Sequence, residues 1–183
     1  MSQSSILDRK VILYIAMSLD GYIADKNGNV DWLEGQESKE ENIDSYSEFV
    51  RNVDTVFMGY NTYHQVVTKL SPDRWIYADF KTYVITHRSM KSSERICFTD
   101  EPLENVLKEV KQEKGKDIWI CGGAQIIRQL MKKDLIDQYY ISVIPTILGS
   151  GIRLFDSLEK ERKLSLVQTR AYNGIVEVIY ERR

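Results

Sequence analysis

The sequence is poor in cysteine and histidine. Its 183 residues include two cysteines, Cys97 and Cys121, and two histidines, His64 and His87. Two cysteines far apart in the chain form neither a CxxC metal motif nor a disulfide framework, and no HExxH pair is present. We therefore predict no bound metal ion, and we expect the reduced thiols of a cytoplasmic protein.

Long apolar runs and an excess of one charge are also absent. The longest apolar run, residues 11–17, is far shorter than the roughly 20 residues that a membrane-spanning helix needs. Residues 1–10 lack the apolar segment and cleavage site of a signal peptide. The net charge is -2, from 25 basic and 27 acidic residues, which gives no indication of nucleic-acid binding. We expect neither a membrane nor a nucleic acid as a partner.

The apolar residues, 43% of the chain, are grouped in short stretches. A chain of this length buries roughly 70% of its unfolded surface, which is enough for one domain over residues 1–183. The β-branched and apolar stretches predict strands at residues 10–17, 54–59, 82–86, 118–121 and 138–144.

Helices are predicted between these strands. Apolar residues at three- and four-residue steps indicate a helix over residues 43–52, and similar stripes follow Pro102 and Gly123. At the C-terminus, β stretches over residues 164–171 and 175–181 flank Asn173-Gly174, a strong hairpin signal. The sequence therefore predicts an α/β domain with a mostly parallel central sheet, flanking helices and an antiparallel C-terminal hairpin.

Two glycine motifs stand where predicted strands meet predicted helices. In such sheets, ligands bind outside the carboxyl ends of the strands. Gly122 and Gly123 allow close backbone approach and leave helix N–H groups available to a phosphate, although a plain tight turn has the same sequence. Gly59 is followed by Asn61 and Thr62, which offer polar groups to a ligand or, alternatively, cap a helix.

Two further strand ends carry unusual residues. Thr86, His87, Arg88 and Ser89 combine groups that suit a phosphate monoester, or else they form a solvated loop. Residues 17–24 follow the first strand and show no helix pattern. This segment is a candidate for contact with a ligand, or else it is an ordinary turn. No Ser/His/Asp or Cys/His arrangement for nucleophilic catalysis is evident.

Taken together and in order, four segments resemble the dihydrofolate reductase-like superfamily. Within it, the chain is most similar to the reductase domain of the bifunctional riboflavin-biosynthesis deaminase/reductase and its free-standing relatives. The similarity runs over residues 10–181. The segments are Met17-Ser18-Leu19-Asp20-Gly21-Tyr22-Ile23-Ala24, Met58-Gly59-x-x-Thr62, Gly122-Gly123-Ala124 and Pro145-Thr146-Ile147-Leu148-Gly149.

The resemblance implies an NADPH-dependent reductase, a homodimer in the riboflavin branch, and a set of cofactor-binding residues. Those expected at the pyrophosphate are Gly59, Asn61 and Thr62 on one side and Gly122, Gly123, Ala124 and Gln125 on the other. Those expected near the adenosine 2′-phosphate are Thr86, His87, Arg88 and Ser89. Those expected to cover the nicotinamide are Ile23 and Ala24.

The implied reaction is transfer of a hydride to a small heterocyclic, pyrimidine- or pterin-like substrate. The activity is similar to that of 5-amino-6-(5-phosphoribosylamino)uracil reductase. Asp44, near the place where dihydrofolate reductases carry an acid, is the candidate catalytic residue; the alternative is a helix-stabilising Asp in a first turn. The residues expected to contact the substrate are Met17, Asp20, Phe49 and Ser142.

Two positions depart from the family pattern and keep other functions open. Tyr60 stands where dihydrofolate reductases have a basic residue, which bears on the choice between NADPH and NADH. Cys121 stands where riboflavin-pathway reductases typically have Glu, which bears on the substrate. The alternatives are a true dihydrofolate reductase, against which Tyr60 and the acidic stretch 34–42 count, and a nucleotide-binding protein without turnover.

Overall fold

One large sheet organises the protein. A computed structural model describes residues 9–36, 43–156 and 160–183. The strands of the eight-stranded sheet are β1 (Val11–Ser18), β3 (Val53–Gly59), β4 (Lys81–Ile85), β5 (Ile96–Thr99), β6 (Asp117–Gly122), β7 (Gln138–Ile144), β9 (Leu164–Tyr172) and β10 (Ile175–Arg182). A separate two-stranded sheet consists of β2 (Tyr22–Ala24) and β8 (Ile152–Arg153).

The strand order of the large sheet is β5-β4-β3-β6-β1-β7-β10-β9. The first six strands in this order are parallel, and β10 and β9 are antiparallel. This confirms the predicted α/β class, with a mostly parallel sheet and a C-terminal hairpin. The sequence reading missed β5, a half-buried strand of four residues at the sheet edge, and the short strands β2 and β8.

The described α-helices are six to ten residues long. They are α1 (Ser45–Val50), α2 (Tyr60–Gln65), which continues as a π-helical turn over Val66–Leu70, α3 (Leu103–Gln112) and α4 (Ala124–Lys132). The helix predicted over residues 43–52 is therefore too long at both ends, because Asp44 caps its start and Arg51 ends it. No helix in the described part of the chain is long and apolar enough to cross a membrane.

The two faces of the sheet bury different side chains. On one face, Leu13 of β1 packs in a core with α3 and α4, through residues such as Leu107 and Ile127. On the other face, Ile12 packs with Phe49 of α1 and Trp119 of β6. Because successive side chains of a strand point to opposite faces, Tyr14 joins the second group and Met17 the first. This alternation decides which residues can share a binding site.

A buried arginine fastens the start of β1 to its neighbours. Arg9 is 3% exposed. Its guanidinium donates hydrogen bonds to the carbonyl oxygens of Lys116 (2.5 Å) and Val110 (2.9 Å), to Thr55 Oγ1 (2.7 Å) and to the carboxylate of Asp54. One side chain thus connects the chain before β1 with α3, β3 and the loop before β6.

We expect Arg9→Ala to lower the free energy of unfolding by about 3 kcal/mol, because it leaves several acceptors without their donor. Equilibrium unfolding in urea measures this value. Lys81→Ala is the matched control, since the contacts of Lys81 are an exposed pair with Glu113 at 3.9 Å and a cation–π contact with Tyr83 at 5.1 Å, and it should cost less than about 1 kcal/mol. Equal losses for the two variants would contradict a special role for Arg9.

Candidate functional site

The carboxyl ends of four parallel strands meet at one edge of the sheet. In the register of the sheet, Gly59 pairs with Ile85, and Met58 pairs with Gly122. The motif after β3, the cluster after β4 and the glycines after β6 therefore begin side by side. The structure brings together three of the four segments that the sequence singled out, and β1 ends beside them.

Four residues at this edge form a space that side chains would fill, and we call Gly59, Thr62, Gly122 and Gly123 the glycine cradle. A Cβ atom on Gly123 would lie 3.2 Å from Thr62 Oγ1, and one on Gly59 would lie 3.3 Å from Ile126 Cγ1. Gly122 has φ +128°, a conformation that side chains disfavour. The peptide bond between Gly122 and Gly123 is cis.

The cradle leads into the N-terminus of α4. Gly123 is the N-cap residue of this helix, and no described side chain caps it. Unpaired N–H groups and the positive end of the helix dipole favour a phosphate at such a place. Ala124 is buried in the first turn of α4, whereas the next residue, Gln125, is exposed, as is Asn61 in α2. The residues present therefore fit a dinucleotide pyrophosphate.

In the cluster after β4, residues 86–89, Arg88 contacts both Thr86 and Tyr60. Thr86 is buried, and its Oγ1 accepts a hydrogen bond from the backbone N of Arg88 (3.1 Å). The guanidinium of Arg88 lies over the ring of Tyr60, 4.4 Å from its centroid, which is a cation–π arrangement. His87 and Ser89 are exposed. Tyr60 thus positions the guanidinium of Arg88 beside α2. In the family pattern, the basic residue stands at the position of Tyr60 itself.

Asp20 joins two of the motif segments. Its Oδ1 accepts hydrogen bonds from Ser18 Oγ (2.6 Å) and Leu148 N (3.1 Å), and its Oδ2 accepts one from Gly149 N (2.7 Å). The bond from Ser18, followed by those from the two backbone groups, lowers the pKa of Asp20. Its observed contacts connect loops, and its contact with substrate stays a prediction.

Because the pKa of Asp20 in the folded protein lies below its ordinary value of 3.8, its ionised form stabilises the fold. This stabilisation is fully present above pH 3.8 and is lost as the pH falls through the lower, folded-state pKa. We expect Asp20→Ala to reduce the urea midpoint at pH 7 and the difference from the parent protein to shrink below pH 3.8. A constant difference across that range would contradict this account.

The residues predicted to contact the nicotinamide and the substrate lie on both faces of the sheet. Met17 and Ile23 pack against the core under α3 and α4, whereas Phe49 belongs to the core on the other face. Strand alternation turns the side chain of Met17 away from the face that Phe49 occupies, and its contact with the substrate stays a prediction. Ala24 is buried in β2, where it pairs with Ile152 of β8.

Phe49 and Ser142 line a cavity of about 580 Å³ between α1 and the C-terminal hairpin. Three aromatic rings contribute to its wall: the ring centroids of Tyr14 and Phe49 are stacked 4.3 Å apart, and that of Tyr140 lies 5.4 Å from that of Phe49. Most of the other lining side chains are polar or charged, so the cavity offers flat ring surfaces together with hydrogen-bonding groups to a planar ligand. The sequence reading missed Tyr14, although its alternation with Leu13 and Ile15 places it on this face.

Asp44 lies at the start of α1, beside this cavity. It is exposed, and its Oδ1 accepts a hydrogen bond from Ser47 N (3.1 Å) as the N-cap of the helix. Hydrogen bonds from Ser47 lower its pKa, so Asp44 is ionised at neutral pH and does not carry a proton to donate there. Its predicted catalytic role is not tested by this geometry and stays a prediction, while its local role resembles the helix-stabilising alternative.

Cys121 lies at the end of β6, immediately before the cradle. Its Sγ is 3.5 Å from the hydroxyl of Tyr77, and burial raises the pKa of the thiol to about 11. At neutral pH the side chain is therefore an uncharged thiol. A substrate group that needs a carboxylate at this position would not find one.

The comparisons with known proteins agree with this geometry. The sequence matches the RibD C-terminal domain family over residues 9–177, and the chain belongs to that family. Its fold is that of the reductases of the dihydrofolate reductase-like superfamily. It is 42% identical to the uncharacterized protein YwjB of Bacillus subtilis (strain 168), over 96% of this chain and 99% of that protein.

Two solved structures place the fold. One, described as a "putative riboflavin biosynthesis protein" from Shewanella sp. PV-4, has a TM-score of 0.83 and 27% identity, covering 95% of this chain and 99% of the other. A second is a Thermotoga maritima diaminohydroxyphosphoribosylaminopyrimidine deaminase/5-amino-6-(5-phosphoribosylamino)uracil reductase. It has a TM-score of 0.71 and 16% identity, covering 96% of this chain and 57% of the other, so it supports the fold alone.

Proposed function

We propose that the protein is an NADPH-dependent reductase that transfers a hydride to a small heterocyclic substrate. The observation that carries this proposal is the glycine cradle at the N-terminus of α4, where added side chains would occupy the space next to Thr62. Membership of the RibD C-terminal domain family supports the same activity. When bound, the nicotinamide cofactor supplies the hydride, and the protein supplies binding and orientation.

The proposed cofactor contacts follow the order of the strands. The cradle and the free N–H groups of α4 bind the pyrophosphate, while Arg88, held over Tyr60, binds the 2′-phosphate. Ile23 and Ala24, both in β2, cover the nicotinamide end. A basic group stacked on an aromatic ring is already oriented, so Arg88 loses little freedom when it contacts a phosphate.

The proposed substrate site is the aromatic cavity beside α1. Tyr14, Phe49 and Tyr140 offer ring surfaces to a planar pyrimidine- or pterin-like group, and Ser142 offers a hydroxyl. In this proposal the activity is similar to 5-amino-6-(5-phosphoribosylamino)uracil reduction. Cys121 carries a thiol where riboflavin-pathway reductases typically have the carboxylate of Glu. The proposal therefore concerns the aminopyrimidine ring of the substrate.

Turnover on a small panel tests the proposal against its alternatives. Purified protein with NADPH is given an aminopyrimidine that carries a phosphorylated pentitol or pentose, or dihydrofolate, and NADPH oxidation is followed by absorbance. We expect oxidation with the aminopyrimidine. Oxidation with dihydrofolate alone would support a true dihydrofolate reductase. Cofactor binding without oxidation of NADPH across the panel would support a nucleotide-binding protein without turnover.

We also propose that the protein works as a homodimer in the cytoplasm. The hairpin of β9 and β10 forms one edge of the sheet and exposes Leu166, Val167 and Val176, which are 57%, 51% and 43% exposed. Exposed apolar groups on a sheet edge favour association with a second copy. Light scattering at micromolar concentration tests the assembly, and a monomeric mass would contradict it.

A further inference from the structure

A buried carboxylate, that of Glu177, lines the cavity beside α1. Glu177 lies in β10 and is 7% exposed. Its Oε1 accepts hydrogen bonds from the hydroxyls of Ser45 (2.6 Å), Tyr172 (2.8 Å) and Ser142 (3.3 Å). The three hydroxyls come from α1, β9 and β7, so this one oxygen joins three elements of the cavity wall.

The second oxygen of Glu177 is available to a ligand. All hydrogen bonds that the described residues donate to this carboxylate end on Oε1, and none ends on Oε2. No described basic side chain lies within ion-pair distance of Glu177. Its cross-strand neighbour Arg170 is paired with Glu48, at 2.6 Å, and interacts with Glu177 at longer range. A carboxylate that is nine-tenths buried needs partners for its charge. The cavity that Glu177 lines is the place from which such a partner can come.

The position of Glu177 in the sheet fits a substrate bound beside the cofactor. Glu177 pairs with Ser142 of β7, and Ser142 pairs with Ala16 of β1. It therefore lies level with the carboxyl end of β1, two strands away. The stacked rings of Tyr14 and Phe49 line the same cavity.

We propose that Glu177 is the specificity-determining residue of the substrate site, and that its Oε2 accepts a hydrogen bond from an amino group or ring N–H of a planar heterocycle. This inference rests on the proposed function. A carboxylate accepts but cannot donate, so it favours a ring edge with N–H donors and disfavours one that presents acceptors alone. The rings of Tyr14 and Phe49 pack against the flat apolar surface of the same ligand.

The substitution Glu177→Gln changes the oxygen that faces the ligand and little else. The amide oxygen can still accept from Ser45, Tyr172 and Ser142, while an NH₂ group replaces Oε2. The matched control is Glu181→Gln, which makes the same chemical change in an exposed side chain of the same strand, outside the described lining of the cavity. Calorimetric titration in the presence of NADPH measures the binding of 2,4-diaminopyrimidine, which presents N–H donors, and of unsubstituted pyrimidine, which has acceptor nitrogens and no N–H donor.

We expect 2,4-diaminopyrimidine to bind the parent protein more tightly than unsubstituted pyrimidine, and Glu177→Gln to weaken its binding at least tenfold, as expected for a charged hydrogen bond. Glu181→Gln should bind as the parent does. Equal affinity of the parent and Glu177→Gln for 2,4-diaminopyrimidine would overturn the proposal, as would a parent that binds neither probe. If Glu177→Gln unfolds, Glu177→Asp, which keeps the charge but withdraws it from the cavity, is expected to show the same loss.

The same samples separate this inference from the proposed function. NADPH binding, titrated without any pyrimidine, should be unchanged in Glu177→Gln because the carboxylate lies apart from the glycine cradle. A parent that binds 2,4-diaminopyrimidine through Glu177 but does not bind NADPH would leave the inference standing and refute the reductase. A parent that binds NADPH, but whose affinity for 2,4-diaminopyrimidine is unchanged by Glu177→Gln, would refute the inference and leave the proposed reductase standing.

Discussion

Replacing Gly123 with Val is expected to abolish NADPH binding while the protein stays folded. A Cβ at this position already lies 3.2 Å from Thr62 Oγ1, and the two further methyl groups of Val would enter the space that a pyrophosphate needs. We expect the affinity to fall roughly 100-fold or more, which corresponds to ~2.8 kcal/mol. Gly123 has φ -88°, which Val can adopt, so its backbone conformation does not oppose the substitution.

Fluorescence titration of NADPH measures this loss, and circular dichroism with thermal unfolding monitors the fold. Gln129→Val is the matched control, since it places the same β-branched side chain on the exposed side of α4. It should bind NADPH as the parent does. A folded Gly123→Val protein with the affinity of the parent would remove the cradle from the cofactor site.

Replacing Arg88 with Ala is expected to remove the preference for NADPH over NADH. The guanidinium, 4.4 Å from the centroid of the Tyr60 ring, is the basic group proposed to bind the 2′-phosphate. Loss of a charged hydrogen bond predicts a fall in NADPH affinity of about 10- to 100-fold. NADH lacks this phosphate, so its affinity should not change.

The control for Arg88 is Lys91→Ala, which removes an exposed positive charge from the same loop. If long-range attraction alone favours NADPH, the two variants will lose affinity equally, and the loss will be strongly reduced by salt. If Arg88 contacts the phosphate, its variant alone will lose the preference. An Arg88→Ala protein that keeps the full preference for NADPH would show that the 2′-phosphate binds elsewhere.

Much of the fold could be predicted from local patterns. Each parallel strand coincides with a short apolar stretch, although that of β5 is only four residues long, and the Asn173-Gly174 turn marks the hairpin. The glycine motifs were found for the same reason, because close backbone approach requires glycine, and such positions are visible in a sequence. The cradle then follows from topology, since parallel strands place their carboxyl ends at one edge.

The substrate side of the site could not be predicted in the same way. Glu177 contacts Ser45, 132 residues away, and Ser142, 35 residues away, and no local pattern records such contacts. That Met17 and Phe49 lie on different faces could not be predicted either, because the face that α1 covers is a property of the packed structure. The pairing of Arg88 with Tyr60 depends in the same way on the adjacency of β3 and β4.

The central claim is that this chain binds a nicotinamide dinucleotide at the glycine cradle. The most direct test is a titration of the purified protein with NADPH and NADH, followed by thermal shift and nicotinamide fluorescence. The account predicts saturable binding of NADPH, weaker binding of NADH, and loss of both in Gly123→Val. Absence of binding by either dinucleotide to the folded parent protein would contradict it and would mean that this family fold serves another ligand.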